Sequence, residues 1–309
     1  MSSPAPYLVR ARRASRVLVT ASLLAGRLPS RARTPLVLGV LALGMPHGAA
    51  DTELLRVAAA GSRRRLGALM GGYAGAAAVG TAVIAHGSPA VSRAVLVGTA
   101  AHFAEGELAC WPVAAQPGGA PVDRALRVAG AALATTLLPA LVGRDGLRDS
   151  DRTARVLLRE PGPRRRGLLL AGGASLAAAG ALAVRGDRVA AADLALLTML
   201  DLVTPPPVTF AAYFGGWHSL RHTGRVLDAL AAAGELPADL SLPVAGLQLA
   251  RRSAWTAGVG LVAAGALAAR DPRRAGDRAL VGVLGLTLPH AATVALRLRR
   301  RLPVQHAER

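Results

Sequence analysis

The sequence predicts an all-α fold, a polytopic integral membrane helical bundle of about 7–8 transmembrane helices with a buried, His-lined metal site. Three observations carry that prediction. Of 309 residues, 52% are hydrophobic and 18% charged, with a mean hydropathy of +0.38, whereas soluble domains carry about a quarter charged residues. The apolar residues fall in blocks of about 15–20, the length a helix needs to cross a bilayer. Histidines and carboxylates interrupt those blocks, and an ionisable side chain in hydrocarbon faces a partner or a site.

The elements follow in chain order. Residues 1–33 hold Arg10, Arg12, Arg13, Arg16, Arg27, Arg31 and Arg33 around an apolar stretch too short to span, which predicts an interfacial or poorly ordered arm. Residues 34–309 then read as a single integral membrane domain. Spans are expected at 34–50, 66–86, 94–112, 125–143, 167–184, 189–220, 253–269 and 279–296, each bounded by Arg, Asp, Pro or Gly clusters. The sixth is too long for one helix, and Pro205, Pro206 and Pro207 remove three amide donors within it, which predicts a break there. Asp149 to Glu160 reads as a short amphipathic helix on the headgroups. Close helix contacts are expected at Gly71, Gly72 and Gly75 and at Gly172 and Gly173. Arginine bias places the joint at 51–65 in the cytoplasm but puts the arginine-dense 144–166 segment on the opposite face, so topology stays open.

The net charge of +19 does not indicate nucleic acid. The chain has no lysine, no asparagine and a single isoleucine, Ile84, so the arginines reflect a compositional bias of the coding sequence rather than a recognition surface. Cys110 is the only cysteine, which excludes an internal disulfide, a zinc ribbon and dithiol redox chemistry. Any metal must be held by histidine and carboxylate.

Seven histidines are present. His306 sits in a polar tail and His86 at a helix end before Gly87-Ser88-Pro89, so both are expected at a solvated boundary. His47, His102, His218 and His290 fall inside apolar blocks, and His222 joins them because it follows His218 by four residues and shares its helical face. Asp51 follows His47 by four residues and Glu105 follows His102 by three, while Glu107, Asp193 and Asp201 also interrupt apolar sequence. A metal-bound imidazole usually donates its second N–H to a carboxylate. Any single His–carboxylate pair is equally a hydrogen bond locking two helices. Four separate apolar segments carrying histidine favour a shared metal. Pro46 before His47 and Pro289 before His290 would kink their helices and open space beside each imidazole.

At these residues the sequence resembles the Brp/Blh family of bacterial β-carotene 15,15′-dioxygenases. The resemblance rests on Gly44-Met45-Pro46-His47-Gly48-Ala49-Ala50-Asp51, on His102-Phe103 and the acidic cluster after it, on Tyr213-Phe214-Gly215-Gly216-Trp217-His218-Ser219-Leu220-Arg221-His222, and on Leu288-Pro289-His290. It implies Fe(2+) held by His47, His102, His218 and His222, with Asp51, Glu105, Trp217 and His290 around the ligands or the substrate, and no catalytic residue beyond the ligands. The implied reaction cleaves the central double bond of β-carotene or a related carotenoid with O2 to give retinal, in the cell membrane of a bacterium, with the lipid bilayer as partner and no nucleic acid. Two features depart from the family pattern: Ala104 stands where glycine is expected, and only 3% of residues are aromatic. Tyr73, Phe103, Trp111, Phe210, Tyr213, Phe214 and Trp217 are nearly all that could line a polyene tunnel.

Two other readings compete. A membrane di-iron hydroxylase needs several histidine boxes with adjacent His-His pairs, and this chain has one box and no such pair. A non-catalytic membrane carotenoid- or retinoid-binding or carrier protein would use the histidines for hydrogen bonds or proton passage, and the break at Pro205–Pro207 suits it.

Overall fold

The computed structural model describes residues 6–44, 46–86, 88–111, 121–137, 164–269 and 275–298. Every regular element among them is helical, as the composition demands. In order these are α1 (Pro6–Ala25), α2 (Ser30–Gly44), α3 (Pro46–Ala49), α4 (Asp51–Ala59), α5 (Arg63–His86), α6 (Pro89–Cys110) and α7 (Pro121–Ala132), which runs on as a π-helical turn, Leu133–Leu137. Then come α8 (Arg164–Val184), α9 (Arg188–Val203) and α10 (Pro206–Phe210), which leads through a π-helical segment, Ala211–His218, into α11 (Ser219–Ala232). The chain ends in α12 (Leu242–Arg252), α13 (Ala254–Ala269) and α14 (Ala275–Leu298). The expected amphipathic helix at 149–160 and His306 lie outside the described residues.

Helices cover the apolar blocks, while α1, α4, most of α11 and α12 lie in the arginine-rich stretches outside them, and several helix ends have local causes. Within the block expected at 34–50 the described helices are α2, to Gly44, and α3, from Pro46. The proline run ends α9, because it lacks the amides that would continue the helix: Pro205 is extended (φ −61°, ψ 145°) and α10 begins at Pro206. Ser88 caps α6 by accepting from the Val91 amide at 3.4 Å, and Asp187 caps α9 by accepting from the Ala190 amide at 3.1 Å. Among the described residues one helix, α5, is long and apolar enough to cross a membrane.

The N-terminal segment, expected as an interfacial or poorly ordered arm, is a 20-residue helix. Its first amides are satisfied across the chain: the Tyr7 and Leu8 N–H groups donate to the Asp228 carboxylate at 3.0 and 2.9 Å. Tyr7, Ala11, Ser15, Val19 and Ser22 are buried at helical spacing, an apolar-and-small stripe hidden in the sequence by the arginines between them.

Contacts divide the chain into two compact units. One comprises Met1–Ala11, Met45–His86 and His222–Arg309, the other Arg12–Gly44 and Gly87–Arg221. In the first, Tyr7, Leu54, Leu227, Leu230 and Leu249 form the core, and α14 packs along α5. That packing is closest where a Cβ on Gly80 would meet the Gly285 carbonyl oxygen at 2.9 Å and one on Gly285 would meet Thr81 Oγ1 at 2.1 Å. At the glycines expected to make this kind of contact, Gly71, Gly72 and Gly75, a Cβ would meet nothing within 4 Å. Three small residues mark a smooth face, but the partner helix selects which part of it is used. Of the second expected pair, Gly172 lies against Leu202 and Gly173 faces open space.

In the second unit, Val19, Leu182, Leu194, Leu197, Leu200 and Trp217 are core residues. Here α2 crosses the π-helical segment at Gly215, where a Cβ would stand 2.1 Å from the Val40 carbonyl oxygen. Glycine at 215 is therefore a condition of the crossing.

Candidate metal centre

In the first unit, three imidazoles and a carboxylate from four helices converge. His47 comes from α3, Asp51 from the first turn of α4, His222 from α11 and His290 from α14, and all four are buried. Ring centroids lie 5.8 Å apart for His47 and His222, 5.5 Å for His47 and His290, and 4.9 Å for His222 and His290. One ligand atom from each of Asp51, His222 and His290 falls within 4.8 Å of the others. Two nitrogens about 2 Å from one shared ion are at most about 4 Å apart, so small side-chain adjustments suffice to chelate.

Asp51 organises this group. Its Oδ2 lies 2.8 Å from His290 Nδ1 and accepts from the Tyr73 hydroxyl at 2.9 Å. With Nδ1 protonated and donating, the lone pair of His290 is placed on Nε2, the tautomer a metal requires. Asp51 Oδ1 is buried with no hydrogen-bond partner among the described residues, and a buried carboxylate oxygen left so is costly unless a cation answers it. The donors, imidazole nitrogens with a carboxylate beside them and no thiolate, are of a kind that iron accepts. The residues present therefore fit a metal ion of the kind the histidines announced.

In the second unit, His102 on α6 and His218 at the end of the π-helical segment are buried with ring centroids 5.8 Å apart. His218 also lies against Gly106, where a Cβ would be 3.7 Å from its Cε1. Aromatic rings surround the pair. Phe103 meets His218 at 4.8 Å, His102 at 5.6 Å and Tyr213 at 5.3 Å. Phe214 stacks near His218 at 6.4 Å and on Phe210 at 5.4 Å. All three phenylalanines of the chain are in this cluster, so the low aromatic content is concentrated where imidazoles are.

Behind the pair lies a charged network that sequence spacing does not assemble. Arg221 Nη1 donates to Glu107 Oε2 at 3.0 Å and to Asp193 Oδ2 at 2.9 Å, and its Nε donates to Ser15 Oγ at 3.0 Å. Its guanidinium stacks 3.4 Å over the Trp217 ring. Trp217 Nε1 donates to Glu107 Oε1 at 2.9 Å, Trp111 Nε1 to Asp193 Oδ2 at 3.0 Å, and Arg16 Nε to Asp193 Oδ1 at 2.7 Å. Two arginines and two carboxylates balance in charge, and together they tie α1, α6, α9 and the π-helical segment around His102 and His218. Trp217, expected near the site, is thus bonded to Glu107 and stacked under Arg221.

The structure sorts the remaining candidates. Glu105 is exposed on α6 while Glu107 is buried. His86 is exposed at the end of α5, at the boundary expected of it. The signal for the network was visible as Arg221 lying between two histidines, and the signal for Tyr73 as a lone tyrosine in an apolar helix. Neither names its partner, because Tyr73 meets a residue on another helix and Glu107 and Asp193 are far from Arg221 in sequence.

No curated protein and no solved structure matches the chain. A family-level comparison matches residues 38–296 to the family described as Beta-carotene 15,15'-dioxygenase. That match covers more than four-fifths of the sequence and contains every histidine placed above. The chain belongs to the β-carotene 15,15′-dioxygenase family.

Proposed function

We propose that this protein is an iron-dependent dioxygenase of the cell membrane that cleaves the central 15,15′ double bond of β-carotene, or of a closely related carotenoid, to yield retinal. The observation that carries the reading is the aromatic cluster of Phe103, Phe210, Tyr213 and Phe214 around the buried imidazoles of His102 and His218. An apolar, conjugated polyene is held by rings of this kind.

His47, His102, His218 and His222 would hold Fe(2+). When bound, iron with open coordination positions supplies the activation of O2. The rest is done by the chain. The rings of Phe103, Tyr213 and Phe214 position the polyene and exclude water from its central bond. Asp51 keeps His290 in one tautomer and orientation, and the Arg221 network fixes the helices that carry His102 and His218. In the overall reaction the carbon–carbon double bond breaks, each carbon takes one oxygen atom of O2, and two aldehydes form. Neither a proton nor an external reductant enters the balance, so no acid or base residue is required. For Glu105 we propose a place at the periphery of the site, consistent with its exposed position on α6.

A multi-pass arrangement in the bilayer belongs to the same proposal. Its support is an inverted distribution of side chains: Asp51, Glu107, Asp193, Arg221 and five histidines are buried, while Val79, Val97, Leu170 and Val262 are exposed. A carotenoid already dissolved in lipid would enter between helices.

The test is expression in a β-carotene-producing bacterium. Loss of the orange colour with appearance of retinal, abolished by His47→Ala or His222→Ala, is the expected outcome. Carotene that persists despite good membrane expression overturns the reading.

A further inference from the structure

We propose that His290 is itself a ligand of the metal, held from behind by Asp51 and Tyr73, so that the first unit presents three imidazoles to the ion rather than two. This rests on the reading above, and it departs from the ligand set that the family resemblance implies.

Three independent features of the first unit support it. The closest imidazole pair there is His222 with His290, at 4.9 Å between centroids, closer than His47 with His222 at 5.8 Å. One ligand atom each of His222, His290 and Asp51 also lies within 4.8 Å of the others, so an ion bound to His222 is within reach of His290. The second feature is the chain of hydrogen bonds from Tyr73 through Asp51 Oδ2 to His290 Nδ1, at 2.9 and 2.8 Å. A carboxylate on the far nitrogen of an imidazole makes the near nitrogen a better ligand and fixes the ring plane. The third is the residue before it. Pro289 lies inside α14, where it cannot donate to the helix and crowds the preceding turn. That disturbance is costly in a helix that otherwise packs closely on α5, and it falls one residue from the buried imidazole. A histidine that only filled core space would need neither the carboxylate relay nor a proline beside it in the helix interior.

The assignment gives Asp51 a structural reason for its position. It stands at the start of α4, on the turn after the segment carrying His47, and reaches α14 and α5 at once. One carboxylate thereby couples the orientation of His290 to the fold of the segment that carries another imidazole.

The experiment uses the full-length chain purified in detergent, freed of metal and titrated with Co(2+), whose visible absorption bands report the number and type of ligands. Binding is also followed as iron retained per chain. His290→Ala and His290→Gln are expected to weaken cobalt binding at least tenfold and to shift the bands. Asp51→Asn, which keeps the imidazole, is expected to weaken binding by about 10–100-fold with the bands little changed. Gel-filtration profile and helical circular dichroism identify any variant that fails to fold. Of the two His290 variants, the one that folds carries the result, and Asp51→Asn carries it if neither does. If the wild type binds metal, His222→Ala abolishes binding, and the folded variants keep both wild-type affinity and wild-type bands, this assignment is overturned and the dioxygenase reading stands. A wild-type chain that takes up neither cobalt nor iron overturns both.

Discussion

Arg221 shows how far a single side chain can be from its sequence appearance. In a chain whose arginines are so numerous, one more between His218 and His222 does not name its partners. In the structure it is 1% exposed and neutralises two buried carboxylates. Removing one partner of such a group leaves the others charged in a poor solvent, a loss of about 3–5 kcal/mol. Arg221→Ala is expected to lower stability by that order in detergent thermal melts, and adding Glu107→Gln to it should recover part of the loss because one stranded charge is gone. Equal melting for wild type and Arg221→Ala would show that the network is not formed in solution. Glu105 and Glu107 teach a related lesson about spacing. The sequence pairs Glu105 with His102 because residues three apart are neighbours on a helix. The buried arc of α6 runs through His102, Ala104, Glu107 and Cys110, and at about 100° per residue Glu105 falls roughly 60° beyond the edge that His102 occupies. Neighbouring positions on a helix do not share a burial class at the border of its face.

At the scale of elements, most of the organisation was legible because its causes are local. Apolar blocks became helices, and Pro205 ended one of them where its missing amide required. What was not legible depends on the partner element. The Gly215-Gly216 pair looked like family signature, but Gly215 is required by the Val40 carbonyl on α2, and the π-helical segment that holds it changes the phase of the side chains in a way no 3.6-residue periodicity reveals. The glycines of α5 and α14 make the point testable. Gly285→Ala would place a methyl 2.1 Å from Thr81 Oγ1 and 2.7 Å from the Thr81 amide, and backbone cannot move aside as a flexible side chain does, so a loss of about 1–3 kcal/mol is expected. Gly75→Ala meets nothing within 4 Å and should be neutral or stabilising by up to about 1 kcal/mol through helix propensity. Melting temperatures of the two variants, followed by helical circular dichroism in detergent, should move in opposite directions or differ clearly in size. Equal shifts would mean that α5 and α14 do not approach at Gly285.

At the scale of the whole molecule, the composition predicts an apolar solvent, and the proposed place in the bilayer can be tested on the exposed side chains. The decisive question is what the exposed face of a helix such as α5 touches. Val79 lies in α5 and is 63% exposed. On a soluble protein an exposed valine of this kind can be exchanged for a charged residue with an effect within about 0.5 kcal/mol. In a bilayer the same exchange puts a guanidinium in hydrocarbon at about 2.5–3.5 kcal/mol on insertion scales, several times more. Val79→Arg is therefore expected to reduce the amount of protein recovered in the membrane fraction severalfold, while Val79→Leu leaves it unchanged. The same reasoning applies to Leu170 on α8, which is 73% exposed, so Leu170→Arg should behave alike if that helix also faces lipid. Since α5 alone among the described residues meets the length and hydropathy expected of a span, the two substitutions separate one crossing from several. A defect at Val79 with none at Leu170 would leave α5 as a lone anchor and would remove the lipid-facing bundle through which a carotenoid is proposed to enter.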